Sequence, residues 1–367
     1  MKIKAAVFYE PGVPFRVETL DLQEPRTGEV LVKVAAVGVC HSDWHLMTGA
    51  TKHPLPVVPG HEGAGVVAAV GPGVTRVRPG DHLALNWGPN CGKCFYCLND
   101  RPSLCAAYVG PLWAGVMLDG TTRLSKNGQP VYHFSALACF ADYCVVPQEC
   151  CVPFSKEVPL PVAALIGCAV TTGVGAVLNT ARVKPGSSVA VFGAGGVGLS
   201  IIMGARLAGA SRIIAVDRAQ HKLDLARSFG ATDALLGGPQ VNDAIRDLTS
   251  GRGADYVFEA VGIPALQEQC LDAARPGGII VLAGISPMGS GTNLPGAIIT
   301  RQEKTIMGTY YGSANTARDF PLYGDLFLRG QLPLDKLVSK TYPLEQINEA
   351  YADMLAGETG RGVIVFD

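Results

Sequence analysis

Three stretches of this chain carry residue types that could do chemistry. The first is CGKCFYCLNDRPSLC, Cys91 to Cys105, which packs four cysteines into one short polar loop. Cys91, Cys94 and Cys97 stand in C-x-x-C-x-x-C spacing and Cys105 closes the set. Such a group can be a disulfide staple, a metal cage or a coincidence. Four thiolates around one tetrahedral zinc form a closed, structural site. Gly92 and Lys93 suit the tight turn between the first ligands, and Lys93 offsets thiolate charge. Iron–sulfur proteins use similar spacing, with a proline after the fourth cysteine; here Ala106 follows Cys105. The reading is a zinc cage with a structural role.

The second stretch is VAVFGAGGVG. Gly193, Gly195 and Gly198 have G-x-G-x-x-G spacing, with Gly196 and Val197 inside the loop. The motif follows a strand-like run and opens a helical one. The first glycine permits the tight turn, the second lets backbone approach a pyrophosphate, and the third lets helix and strand pack closely. Helix N–H groups then face the phosphates. In a chain with 45 glycines, the triplet alone is weak and its context makes it strong. The next strand, RIIAVD, ends in Asp217, whose carboxylate can bind ribose hydroxyls and would repel a 2′-phosphate. NAD is therefore expected over NADP. Arg218 beside it leaves that preference less sharp. Lys222, Gly284 and Ile285 count with the cofactor-binding positions. The bland alternative is a close-packed turn with a surface aspartate.

The third set is scattered. GVCHSDWH holds Cys40, His41, Ser42, Asp43 and His45; PGHEGAG holds His61 and Glu62; IGCAVTTG holds Cys168. No local spacing links them, and each alone reads as an ordinary core or surface residue. Cys139, Cys144, Cys150, Cys151 and Cys270 read as small buried hydrophobes.

The elements that must position these residues fall into two kinds. Up to about residue 150 the chain reads as an irregular β domain, with EVLVKVAAVGVC and GAGVVAAVGPGV as β-branched runs stopped by glycine and proline. From about Thr171 to Gly308, the strands SSVAVFG, RIIAVD, ADYVFEAVG and GGIIVLAG alternate with helical patterns, which implies a doubly wound parallel sheet. After Tyr310 the pattern mixes again, ending in the helix-like LEQINEAYADMLAGE and the strand-like RGVIVFD. The tail is expected to return to the first domain.

The chain has 367 residues, 48% hydrophobic and 17% charged, with a formal net charge of −1 and a pI near 6.6. That is room for two domains. No basic run points to nucleic acid or a membrane surface. The opening MKIKAAVFYEPG is too short for a secretory segment and reads as a first strand. Val189 to Ala205 is the most membrane-like stretch, but its glycines argue for a buried turn. A cytoplasmic, reducing compartment is expected, where eleven cysteines favour metal ligation or free thiols.

Taken together, GVCHSDWH…PGHEGAG…CGKCFYC…C…GCAVTTG…FGAGGVG…D resembles the zinc-containing, medium-chain alcohol dehydrogenases over nearly the whole chain. MLDGTTRLS and LEQINEAYADMLAGETGRGVIVF are also similar to that family. The resemblance implies an α/β protein in which a Rossmann domain (residues 170–309) is inserted into a GroES-like, mainly-β catalytic domain (residues 1–169 and 310–367), with the active-site cleft at their junction. It implies a catalytic zinc on Cys40, His61 and Cys168 beside the structural zinc, so two zinc ions per chain, with NAD as cofactor. Asp43 corresponds to the partner that orients His61, Glu62 to the nearby carboxylate, and Ser42 and His45 to a proton relay. His41 stands where many members carry arginine against the pyrophosphate, which implies looser NADH binding; Arg361 resembles the remaining pyrophosphate arginine. Trp87, Ile285 and Phe134 resemble walls of the substrate pocket. The implied reaction is reversible oxidation of primary alcohols, with aromatic and secondary alcohols within range. A glutathione- or mycothiol-dependent formaldehyde dehydrogenase is the runner-up, and a zinc-stabilised NAD-binding module the non-enzymatic alternative. The family implies a homodimer or homotetramer; GGIIVLAGI could extend a sheet across that interface or be a core strand.

Overall fold

The β-branched run EVLVKVAAVG forms the strand Glu29–Gly38, almost wholly buried. Both faces are apolar because it is a hub. It pairs antiparallel with Gly63–Val70 and Tyr143–Pro147, and toward its end with Arg361–Val365. These belong to a seven-stranded sheet. A five-stranded sheet, including Lys2–Val7 and Arg16–Leu22, carries the N-terminus. Val30, Val32, Val34, Leu83, Leu85, Phe140 and Val145 are among the residues of the shared core.

The computed structural model describes residues 1–357 and 360–367. Glu358 and Thr359, within the C-terminal stretch singled out above, lie outside the described residues. The chain divides into two compact units: Met1–Cys168 with Asn315–Asp367, and Ala169–Ala314.

The second unit is a six-stranded, wholly parallel sheet. Its spatial order is Asp233–Leu236, Arg212–Asp217, Ser188–Phe192, Ala254–Glu259, Ala274–Leu282, Thr305–Gly308. Strand order reverses between Ser188–Phe192 and Ala254–Glu259. That is the switch point at which open α/β sheets bind ligands, outside the carboxyl ends of the strands. The run GGIIVLAGI lies in the Ala274–Leu282 strand, flanked on both sides. It is thus a core strand and not an edge.

No local pattern in the sequence marks Leu160–Ala181 as an element. It is a helical run with π-type turns at Ile166–Val170 and Ala176–Ala181. Among the described residues it alone is long and apolar enough to cross a bilayer, and 89% of its most apolar window is buried. Its apolarity is nearly continuous, so no 3.6-residue period marks it as a helix.

One buried network matters to the site because it holds the segment before Phe134. The Arg123 backbone N–H donates to Nε2 of His133 at 3.0 Å, and Arg123 Nε donates to Glu29 at 2.8 Å. His133 and Arg123 are fully buried. Burial, then the Arg123 charge, pushes the His133 imidazole down to about 4. The unfolded chain therefore binds a proton near pH 6.5 that the native state refuses. This contribution is complete above pH 6.5 and is lost as pH falls toward 4. His133→Gln keeps an acceptor for Arg123 but cannot titrate. Between pH 7 and 5 it should lose about 2 kcal/mol less stability than wild type, read from urea unfolding. Equal losses would count against this account.

Candidate functional site

The pairing of Glu29–Gly38 with its neighbours gathers the scattered ligands at one end of the seven-stranded sheet. Cys40 follows that strand and stands at the N-terminus of the helix His41–Met47. His61 and Glu62 precede the antiparallel strand Gly63–Val70, whose Gly63 pairs with Val37. The Gly38 N–H donates to the Glu62 carbonyl at 2.9 Å. On the other side, Val363 pairs with Gly38 and brings Arg361 to the same end. Cys168 comes from the π turn Ile166–Val170, after a helical segment packed on both strands. π turns recur at functional positions because they re-aim a side chain.

The ligand atoms of Cys40, His61, Glu62 and Cys168 all lie within 4.8 Å of one another, and all four residues are buried. Asp43, fully buried in the first turn of the helix, accepts the Gly60 N–H at 3.0 Å. Asp43 also lies 3.2 Å from His61 Nδ1. That contact places a ring proton on Nδ1 and makes Nε2 the nitrogen that can serve a metal; against burial, Asp43 and Cys40 hold the imidazole well above its usual range, so a bound cation would displace the Nε2 proton. His61 Nε2 is buried without a hydrogen-bond partner, a costly state unless a metal engages it. Two thiols and an oriented imidazole fit zinc.

The charges are mutually adjusted. The Cys40 thiol is held well below its usual range by its hydrogen bond with Cys168, against burial, with help from His61 and Arg361. The same bond and burial push Cys168 up. The pair thus shares one proton, which a bound dication would displace. Burial pushes Glu62 up to about 8 although its ion pair with Arg361 pulls the other way. Arg361, expected against a pyrophosphate, is buried in this cluster with its guanidinium on Glu62. A solvated charge near the C-terminus is excluded.

The rings of Phe134 and Trp87 stand edge-on to His61, at 5.7 and 6.3 Å between centroids. Ser42 Oγ lies 3.7 Å from Cys40 Sγ. His45 is one helical turn on from Ser42, in the same helix, so the two share a face. His41, the first residue of that helix, is exposed.

The four-cysteine loop forms a separate cluster. Cys91, Cys94, Cys97 and Cys105 converge within 4.8 Å. Cys94 Sγ lies 3.5 Å from Cys97 Sγ and 3.9 Å from Cys105 Sγ, close to the roughly 3.8 Å edge of a tetrahedron with 2.3 Å zinc–sulfur bonds. Cys94 is lowered to about 6, chiefly by the Cys97 backbone N–H, while burial raises Cys97 to about 12. All eleven cysteines are free, so the disulfide alternative falls away.

In the second unit, Gly193 has φ +98°, which favours glycine, and a Cβ on Gly198 would sit 1.7 Å from the Gly193 carbonyl oxygen. A Cβ on Gly195 would meet nothing within 4 Å. The protein thus leaves open the space that a pyrophosphate would need. Gly196 and Val197 begin the helix Gly196–Leu207. Asp217 accepts the Ala194 N–H at 2.8 Å and the Ala219 N–H at 3.1 Å, tying its strand end to the glycine loop. Arg218 is exposed and Lys222 half-buried beside it. Gly284 and Ile285 follow the strand Ala274–Leu282, and Ile285 is 60% exposed.

Sequence reasoning gave no role to two buried groups. Tyr351 packs against Phe15 with ring centroids 5.4 Å apart, and its phenol is pushed up by burial and by Asp43. Glu259 is a fully buried carboxylate at the end of an apolar strand. An acid closing the run DYVFE was the available signal.

Comparison with known proteins agrees with this geometry. The family model described as alcohol dehydrogenase GroES-like domain matches residues 26–159, and that described as zinc-binding dehydrogenase matches residues 196–328. An NDMA-dependent alcohol dehydrogenase of Amycolatopsis methanolica is 39% identical over 100% of this chain and 99% of its own. An S-(hydroxymethyl)glutathione dehydrogenase of Escherichia coli is 40% identical over 99% of this chain and 100% of its own. The crystal structure of benzyl alcohol dehydrogenase from Acinetobacter calcoaceticus superimposes with a TM-score of 0.95 at 35% identity, covering 100% of both chains.

Proposed function

Since the chain belongs to the zinc-containing medium-chain alcohol dehydrogenase family, we propose that it oxidises primary alcohols to aldehydes with NAD, reversibly, with benzyl-type alcohols as preferred substrates. The observation that carries the reading is His61 Nε2. It is buried and unpartnered, in one cluster with Cys40 and Cys168. A purely structural zinc site would close with four protein ligands, as the Cys91–Cys105 set does; here two thiols and one imidazole, with Glu62 engaged by Arg361, support a site that keeps a position for substrate.

Cys40, His61 and Cys168 would hold the catalytic zinc and the four-cysteine loop the structural one. Zinc supplies Lewis acidity at the alcohol oxygen, and NAD supplies the hydride acceptor. The chain's own residues do the rest. Asp43 keeps His61 in the tautomer that presents Nε2. Ser42 Oγ takes the alcohol proton and hands it along the helix face toward the imidazole of His45. Arg361 donates to Glu62 and fixes it next to the ligands. The edge-on rings of Trp87 and Phe134 wall the site with apolar surface, which favours an aromatic substituent and excludes water. Gly193 to Gly198 cradle the pyrophosphate, and Asp217 binds the adenosine ribose. A cytoplasmic location and a homodimer or homotetramer belong to the same reading.

The test is NAD reduction by zinc-loaded protein with benzyl alcohol and short aliphatic alcohols, with and without added glutathione, and with NADP in place of NAD. Turnover of benzyl alcohol without thiol is expected. The specificity constant for NAD should exceed that for NADP by about tenfold or more, from repulsion of the 2′-phosphate by Asp217. Activity on formaldehyde only when glutathione is present would move the assignment to a thiol-adduct dehydrogenase, the activity named for the E. coli relative. NADH binding with no alcohol oxidised would leave a binding module.

A further inference from the structure

A buried carboxylate needs compensating partners, because its desolvation is expensive. Glu259 is fully buried, and it sits at the switch point of the parallel sheet. It is the last residue of its strand and is paired in register with Phe192, the residue before Gly193, and with Leu282. Its side chain folds back onto its own chain. Oε1 accepts the Val261 N–H at 2.8 Å and the Gly262 N–H at 2.7 Å. Its carbonyl accepts the Ala283 N–H at 2.8 Å and the Gly284 N–H at 3.0 Å. One residue therefore holds the turns that leave two adjacent strands at their carboxyl ends. The turns are pressed together. A Cβ on Gly284 would lie 2.1 Å from the Gly262 nitrogen and 2.7 Å from Glu259 Oε2, and one on Gly262 would lie 2.3 Å from the Ile285 oxygen. Oε2 itself is buried without a hydrogen-bond partner, so the side chain's polar contacts are made through Oε1 alone.

What these turns display is apolar and open. Val261 is 44% exposed and Ile285 60%. The Val261 side chain abuts the glycine loop, 2.5 Å from where a Gly193 Cβ would stand. We propose that the Glu259 carboxylate is a positioning group of the cofactor site, holding the Val261–Gly262 turn against the Gly284–Ile285 turn, which its main-chain carbonyl already fixes, so that Val261 and Ile285 form a pre-built apolar ledge beside the glycine loop for a dinucleotide. The proposal rests on the NAD reading above. The Glu259 carboxylate touches no reacting atom. It acts by removing the ordering cost that binding would otherwise carry.

The test uses the zinc-loaded full chain and NADH fluorescence titration on Glu259→Gln, Glu259→Asp and Glu259→Ala. Gln keeps an acceptor at Oε1 and should bind NADH within about threefold of wild type. Asp keeps the charge but is one methylene too short to reach both amides. Asp and Ala should weaken NADH by about tenfold or more, the equivalent of 1.4 kcal/mol, with two zinc ions retained. KM for NAD should rise in step while kcat at saturating NAD stays within about threefold, which general loosening of the fold would not produce. If Ala fails to fold, Asp carries the test. Wild-type NADH affinity in the soluble Asp or Ala variant overturns the proposal. Failure of wild type itself to bind NADH would refute the NAD reading instead, before any variant is compared.

Discussion

Cys168→Ser should lower bound zinc from two ions per chain to one and reduce alcohol turnover by at least about a thousandfold, near 4 kcal/mol of transition-state stabilisation. The two thiol clusters share no residue, so the change removes one ligand from the Cys40–His61–Cys168 set and none from the four-cysteine cage. Serine fills the place of the sulfur but is a poor ligand for zinc at neutral pH. The loss is made worse by what stays behind. Cys40 and Cys168 adjust each other's protonation, and His61 Nε2 has no protein partner to fall back on. Elemental analysis of wild type and variant decides the matter. One zinc in both would mean that the buried cluster holds no metal, and the proposed mechanism would be withdrawn while the cage survived.

Ser42→Ala should cost about a hundred- to a thousandfold in turnover, within the range for a positioned proton acceptor, while retaining two zinc ions. The hydroxyl is 3.7 Å from Cys40 Sγ, too long to support the ligand strongly, so removing it should leave the metal in place. KM for the alcohol should change little, because the hydroxyl acts on a proton that moves only in the reaction. Ser42→Thr keeps the hydroxyl and should restore most of the activity. Near-normal turnover in Ser42→Ala would show that the alcohol proton leaves by another route. Loss of zinc in that variant would show a structural effect and not a relay.

Where residues are close in sequence, the amino-acid sequence alone makes their chemistry readable. The cage at Cys91–Cys105 and the loop at Gly193–Gly198 are local motifs. In each, short-range geometry sets both the spacing and the function: thiols must converge on one ion, and backbone must turn tightly and leave room for phosphate. The parallel sheet was readable for a similar reason, because buried parallel strands are continuous apolar runs alternating with amphipathic helices. The run Leu160–Ala181 escaped because a helix buried on all sides has no polar face to give it a period.

The second metal cluster is of another kind. Cys40, His61, Cys168 and Arg361 lie far apart in the chain, and only resemblance to a family suggested that three of them meet. Their convergence depends on the register of Glu29–Gly38 with Gly63–Val70 and Arg361–Val365, and on a π turn that aims Cys168. A one-residue slip in either pairing would turn those side chains to the opposite face. The same holds for the pairing of Arg361 with Glu62, and for Glu259, which looked like any acid at a strand end. The amino-acid sequence by itself determined the local motifs, the alternation of elements and the balance of charge. The tertiary structure decided which distant polar groups share one buried volume, since strand pairing and side-chain packing, which set that arrangement, act between residues that no local pattern connects.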